Sequence, residues 1–225
     1  MFSRFVRLVL HLFVKPVRYG ALKLMKKMRA PDDVRPIISV AEHLLDEFIL
    51  PSTFRTFQEV IFRELARFKK LPVAEHDRIF NELQVAGVCI AIFHLRTAKS
   101  LTRPEDYHFW QGVEEYLPKQ LQRMLMGYGV EGGNAKLMRQ LIDMRRAEYE
   151  ELARGMRDAS EKSEGNPRIS PPELTYLASV VHATAVGAVD HIRRGRLEEG
   201  DPLIRHLSEW LVRLQQRVGK FVKYL

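Results

Sequence analysis

The stretch from Val85 to Phe93 reads VAGVCIAIF and is apolar or small at every position. The stretch from Leu177 to Val189, LASVVHATAVGAV, has the same character, with His182 as its one ionisable residue. A helix on the surface of a globular protein needs only one apolar stripe, so segments that are apolar all round indicate helices enclosed by other helices. We therefore expect these two segments to form the centre of a helical bundle.

Helix start and stop signals recur on both sides of these segments. Capping boxes with an early proline occur at 102–105 (TRPE) and 170–173 (SPPE). The other candidates are the N-caps Ser52, Asn134 and Asp201 and the glycine stops at 127–129 and 195. No strand-like alternation accompanies them, so we predict an all-α fold, a seven- or eight-helix bundle with an N-terminal amphipathic helix. The predicted helices are 2–28, 36–50, 53–70, 73–99, 103–126, 134–161, 171–194 and 202–223.

The chain divides into two segments by composition. Residues 1–29 are predicted to form a basic amphipathic helix for a membrane surface, and residues 30–225 to form an all-α helical domain. The stretch 161–170, EKSEGNPRIS, is rich in helix breakers. It marks a candidate sub-boundary within the second segment.

The positive charge of the chain is concentrated at its two ends. The 36 Lys and Arg residues exceed the 28 Asp and Glu residues by eight. Residues 1–29 hold eight of the cations and no acid, and the residues after Glu209 hold four more cations and no acid. The segment 30–209 is therefore acidic overall. Because the basicity does not lie on the body of the protein, the overall charge gives little support to a nucleic-acid partner.

The first segment, MFSRFVRLVLHLFVKPVRYGALKLMKKMR, fits a helix that lies on a membrane. Arg4, Arg7, His11, Lys15 and Arg18 fall within a sector of roughly 80° on a helix, and large apolar residues surround that stripe. A signal peptide requires an unbroken apolar core, and each cation placed inside a bilayer would cost about 2.5–3.5 kcal/mol. An interfacial helix accommodates both the stripe and the apolar face. The alternative is a first helix that packs on the protein's own core.

We predict an anionic membrane surface as one binding partner, met from the cytoplasmic side. Basic residues near an anionic leaflet contribute about 1 kcal/mol each, and each buried CH₂ contributes about 0.8 kcal/mol. The predicted membrane-binding residues of the first segment are Arg4, Phe5, Arg7, Leu8, Leu12, Phe13, Lys15, Arg18, Lys23, Lys26 and Lys27.

The last predicted helix interleaves aromatic and basic residues in the same manner. Its candidate membrane-binding residues are Trp210, Arg213, Arg217, Lys220 and Phe221. Its apolar face is of ordinary width, so the same residues fit equally well a helix that closes the bundle.

Few residues point to chemistry. Cys89 is the single cysteine and lies in an apolar run, which excludes a disulfide within the chain and predicts a buried, inert thiol. His94 and His182 lie on the two central helices, where they are either core histidines with hydrogen-bond partners or parts of a pocket with Asp190, His191 and Cys89. No sequence pattern predicts a metal site, and the cofactor, if any, is not indicated.

Three functions remain open from the sequence. The leading hypothesis is a peripheral membrane-associated accessory or scaffolding protein, docked on anionic lipid through its N-terminal helix and binding another protein. The second is a carrier of a hydrophobic ligand, or an enzyme acting on one, with a lipid, quinone or haem between helices 73–99 and 171–194. The third is a soluble homo-oligomer whose first helix is an interface element. No catalytic motif supports a particular reaction, so the sequence favours a non-enzymatic role.

Overall fold

A computed structural model describes residues 34–101, 104–163 and 172–225. Helix α1 (Arg35–His43) continues through a π-helical turn (Leu44–Ile49) into α2 (Leu50–Gln58), and the short α3 (Val60–Leu65) and a 3-10 turn (Phe68–Lys70) follow. The five long helices are α4 (Val73–Leu101), α5 (Tyr107–Gly127), α6 (Gly132–Ser163), α7 (Pro172–Arg193) and α8 (Pro202–Tyr224). No strand occurs in these ranges, which confirms the all-α bundle. The predicted helix 2–28 and residues 164–170 of the candidate sub-boundary lie outside them.

The first part of the bundle differs from the sequence prediction. We expected one helix to end at residue 50 and another, capped by Ser52, to begin at residue 53, but the helix runs on through this point as a π-helical turn followed by α2. Pro51 has no N–H to give to the carbonyl of Glu47, one turn earlier. That carbonyl accepts a hydrogen bond from Arg217 Nη2 at 3.2 Å. The helix ends instead at Glu59, whose ψ of 130° is extended.

The predicted helix starts and ends in the later part of the chain agree better with the structure. Asp201 caps α8, since its side chain accepts a hydrogen bond from the Leu203 N–H at 2.9 Å. Gly129 and Gly195 have φ values of +85° and +72° and stand just after α5 and α7, in the left-handed conformation that ends helices. Asn134 is not a cap, because α6 already begins at Gly132.

Contacts along α8 give its direction relative to α1 and α2. His206 Nε2 lies 3.0 Å from Glu59 Oε2, and Trp210 Nε1 donates to Ser52 Oγ at 2.9 Å. Further along, the ring of Phe221 lies 4.7 Å from that of His43. As the residue number of the contacting residue rises along α8, that of its partner falls along α2 and α1, so α8 is antiparallel to them.

Helices α4 and α7 also alternate in direction. Gly219 of α8 packs on His94 of α4, and Gly87 of α4 packs between Leu214 and Thr53, so α4 is parallel to α8. Arg78 near the start of α4 donates to the carbonyl oxygens of His191 and Ile192 at the end of α7, at 2.7 and 3.0 Å. Helix α7 therefore runs opposite to α4.

The first and last residues of the domain consequently lie at the same end of the bundle. The start of α1, the end of α4, the start of α7 and the end of α8 lie there, and we call it the terminus end, defined by Val34, Leu101, Pro172 and Leu225. The opposite end holds α3, the 3-10 turn Phe68–Lys70 and the α7–α8 connection.

The two apolar segments lie in the centre, as predicted. All residues from Val85 to Phe93 are buried, and Gly187 of α7 fits tightly against the Tyr149 ring of α6. Within the structured ranges, only the Val73–Thr97 part of α4 is long and apolar enough to cross a membrane. Since 83% of its most apolar window is buried inside the bundle, it has the position of a core helix.

Candidate functional site

In helix α8, Trp210 and Phe221 are buried in the bundle, whereas the basic residues of the second half are exposed. Trp210 and Phe221 are 1% and 2% exposed and belong to the core, together with Leu211, Leu214, Val218 and Val222. The apolar face of α8 therefore closes the bundle. Trp210 and Phe221, which we had included among the membrane-binding candidates, do not lie at the surface.

The basic residues of α8 point outward. We call Arg213, Arg217, Lys220 and Lys223 the α8 basic face; all four are exposed. Arg217 is held in place, because its guanidinium lies 5.2 Å from the centre of the Phe48 ring and bonds the Glu47 carbonyl. The basic half of the C-terminal prediction therefore remains at the surface, without its aromatic half.

Cys89 is fully buried between α4 and α6. Its thiol donates to the Ile142 carbonyl at 3.8 Å, and burial raises its pKa. A thiol that is neutral and out of reach of solvent cannot serve as a nucleophile.

The two central histidines have different environments. His94 is mostly buried, a β-carbon added to Gly219 would lie 2.8 Å from its Cε1, and burial lowers its pKa. His182 is exposed on α7. The expectation that both imidazoles face an enclosed space is therefore wrong for His182. The sequence could not show this, because α7 is apolar or small on nearly every side.

His191 takes part in a chain of polar contacts that joins α7, α6 and α4. Its Nε2 lies 2.7 Å from Glu148 Oε1, and Glu148 Oε2 accepts from Arg145 Nη1 at 3.1 Å. Arg145 also bonds both carboxylate oxygens of Glu82, at 3.2 and 3.3 Å. Asp190, next in sequence to His191, is half-buried. Of the predicted pocket residues, Cys89 and His94 thus contribute to packing and His191 to a structural ionic network.

A second group with unusual electrostatics was missed from the sequence. His43, at the start of the π-helical turn, is 5% exposed and lies between the rings of Phe48 and Phe221, at 5.4 and 4.7 Å. Burial lowers its pKa from 6.5 to about 4. The apolar residues around it, Leu44, Leu45 and Phe48, were the available signal.

Because the pKa of His43 is low, we expect the stability of the protein to depend on pH. Between pH 6.5 and pH 4 the unfolded chain binds a proton at His43 that the folded chain does not, so stability falls as the pH falls. The resulting decrease in the free energy of unfolding is about 2–3 kcal/mol over this pH interval. His43→Leu should unfold in urea with a correspondingly weaker dependence on pH between 7 and 4. Identical slopes for the variant and the wild type would contradict this assignment.

Within the described ranges, no three His, Cys, Asp or Glu side chains are grouped as metal ligands. Comparison with known proteins gives no matching family model, no similar curated protein and no similar solved structure.

Proposed function

We propose that this protein is a peripheral membrane protein, held on the anionic cytoplasmic leaflet by residues 1–29 and acting as an accessory or scaffolding subunit. The observation that carries the proposal is the segregation of charge: eight cations and no acid stand among large apolar residues in that segment. Interfacial helices bind through this combination of buried apolar area and electrostatic attraction.

The arrangement of the bundle supports the proposal. The segment 1–29 joins the bundle through Val34 at the terminus end, and the α8 basic face runs toward the same end. The net negative charge of residues 30–209 disfavours contact of the rest of the domain with an anionic leaflet. Anchoring through residues 1–29 would thus orient the domain with its terminus end toward the membrane.

Exposed apolar side chains on α6 support a role in binding another protein. Leu137 and Met144 are 62% and 59% exposed and lie two turns apart on one face of the helix. Leu141, between them, is partly buried against the core. Partner-binding surfaces of accessory proteins are built from such apolar residues surrounded by polar ones.

Vesicle co-sedimentation tests the membrane anchor. We expect the full-length protein to sediment with vesicles containing phosphatidylserine, less at high than at low salt, and not with neutral vesicles. A chain of residues 30–225 should lose binding by at least about 100-fold, since eight cations and the apolar face are removed. Circular dichroism checks that the shortened chain stays helical.

A pair of full-length variants separates the anchor from general surface effects. Leu8→Asp/Leu12→Asp places two acids in the apolar face of the first segment and should release the protein from vesicles. Leu137→Asp/Met144→Asp makes the same change at exposed positions of α6 and should leave sedimentation unchanged. Binding that survives both the first pair of substitutions and the deletion would refute the proposed anchor.

A further inference from the structure

We infer that the α8 basic face is a second contact with the same anionic leaflet, and that this contact is electrostatic only, without insertion of side chains into the bilayer. The inference rests on the proposed membrane function. It concerns a different element of the chain and a different mode of binding from those of the segment 1–29.

The first argument is the spacing and exposure of the cations. Arg213, Arg217 and Lys220 follow steps of four and three residues and fall within a sector of roughly 60° on the helix. All are exposed, and Lys223 extends the face by one turn. Basic residues in such a row present their charges to one plane, as binding to a flat anionic surface requires.

The second argument is the surrounding charge. The only acid within α8 is Glu209, one turn before Arg213, and its Oε1 accepts from Arg205 Nε at 3.2 Å. Glu209 is thus directed toward the start of the helix. On the neighbouring π-helical turn, Arg217 contacts the backbone carbonyl of Glu47 and the ring of Phe48. These contacts hold the guanidinium of Arg217 in place, and neither of them neutralises its charge.

The direction of the aromatic side chains limits how deeply α8 can enter the bilayer. Trp210 and Phe221, the aromatic residues that would insert into a bilayer, point into the bundle: Trp210 donates to Ser52 on α2, and Phe221 packs on His43. Exposing them would require α8 to leave the bundle. The large apolar residue at the outer end of the face is Tyr224, 72% exposed, whose ring suits the headgroup level. Contact through α8 therefore stops at the headgroups.

The position of the α8 basic face brings it close to the segment 1–29. Arg217, Lys220 and Lys223 occupy the half of α8 that leads to the terminus end, where the segment 1–29 joins α1. A leaflet bound by that segment thus lies next to the α8 basic face. The two contacts act on one surface, so each raises the effective concentration of the other.

Charge neutralisation in the full-length protein tests the inference. The triple variant Arg213→Gln/Lys220→Gln/Lys223→Gln removes three exposed cations and keeps Arg217, which contacts the bundle. Each basic residue near an anionic leaflet contributes a factor of about five to the partition coefficient, so the variant should bind phosphatidylserine vesicles about 100-fold more weakly. Its affinity should also depend less steeply on salt.

A matched control removes the same charge from the other end of the bundle. Arg55, Lys69 and Lys70 are exposed on α2 and on the 3-10 turn. The variant Arg55→Gln/Lys69→Gln/Lys70→Gln has the same net charge as the first and should bind vesicles as the wild type does. An equal loss in both variants would overturn the inference, because net charge would then act without regard to position.

Tryptophan fluorescence tests the absence of insertion. The chain has two tryptophans, Trp110 and Trp210, and both are buried in the core. We expect vesicles with brominated acyl chains to leave their emission unquenched while the protein is bound. Quenching would contradict a purely electrostatic contact.

The outcomes distinguish this inference from the proposed function. If the wild type binds anionic vesicles and the α8 variant binds equally well, the segment 1–29 is a sufficient anchor and the inference fails alone. The α8 basic face would then be assigned to an acidic protein partner. If the wild type does not bind anionic vesicles, the proposed function fails, and this inference fails with it.

Discussion

Replacing Arg145 by methionine is expected to lower the free energy of unfolding by about 3–5 kcal/mol. The side chain of Glu82 is 7% exposed, and Arg145 bonds both of its carboxylate oxygens. Burial opposes the charge of Arg145, but the hydrogen bond to Glu82 and the nearby acids raise its pKa above the ordinary value. Methionine fills a similar volume and leaves the Glu82 carboxylate buried without its partner.

Urea unfolding followed by circular dichroism measures the effect. Arg139→Met is the control: it makes the same change at an exposed position of α6 and should shift stability by no more than about 0.5 kcal/mol. The double variant Arg145→Met/Glu82→Met should recover much of the loss, because replacing a whole buried pair by apolar residues is often neutral or stabilising. A double variant no more stable than the single one would show that desolvation of Glu82 is not the cause.

Trp210→Ala is expected to cost about 3–5 kcal/mol, the range for large aromatic residues in a close-packed core. Trp210 is 1% exposed, and its indole N–H donates to Ser52 Oγ. The substitution leaves a cavity between α8 and α2 and removes the donor. Trp210→Phe keeps most of the packing and loses the hydrogen bond, so it should cost less, about 1–2 kcal/mol.

The control for this variant lies on the same helix. Val212 is 38% exposed, and Val212→Ala should cost less than about 1 kcal/mol. Under conditions in which Trp210→Ala is still folded, it should bind anionic vesicles as the wild type does, because the α8 basic face is unchanged. Lost membrane binding with unchanged stability would instead place Trp210 at the bilayer.

The sequence predicted the helical class and the central helices because these depend on local patterns. Stretches such as Val85–Phe93 have few alternatives to enclosure by other helices. The cap at Asp201 and the left-handed turn at Gly195 depend on one or two residues and were equally accessible.

The errors came from contacts that only the fold creates. Ser52 has the composition of an N-cap, but its hydroxyl is the acceptor for Trp210, 158 residues later in the chain. The uninterrupted passage of the helix through Pro51 coincides with a π-helical turn and with Arg217 at the Glu47 carbonyl. No local signal predicted that long-range contact.

The candidate site was predicted only in part for the same reason. The α8 basic face was visible from the spacing of its cations, whereas the inward direction of Trp210 and Phe221 depended on the neighbouring helices. His182 was expected inside because α7 lacks a clear polar stripe, and a single exposed imidazole gives too little contrast to orient a helix.

The up-and-down order of the helices also determines where a reporter can be attached without disturbing docking. If the protein docks as we propose, labels fused to either end of the domain would stand at the terminus end and compete for space with the membrane. The α7–α8 connection lies at the opposite end and contains Gly195 and Gly200, whose surroundings have room for additional atoms. A fluorescent domain inserted there would extend away from the leaflet, and its height above the bilayer would report how the molecule stands on it.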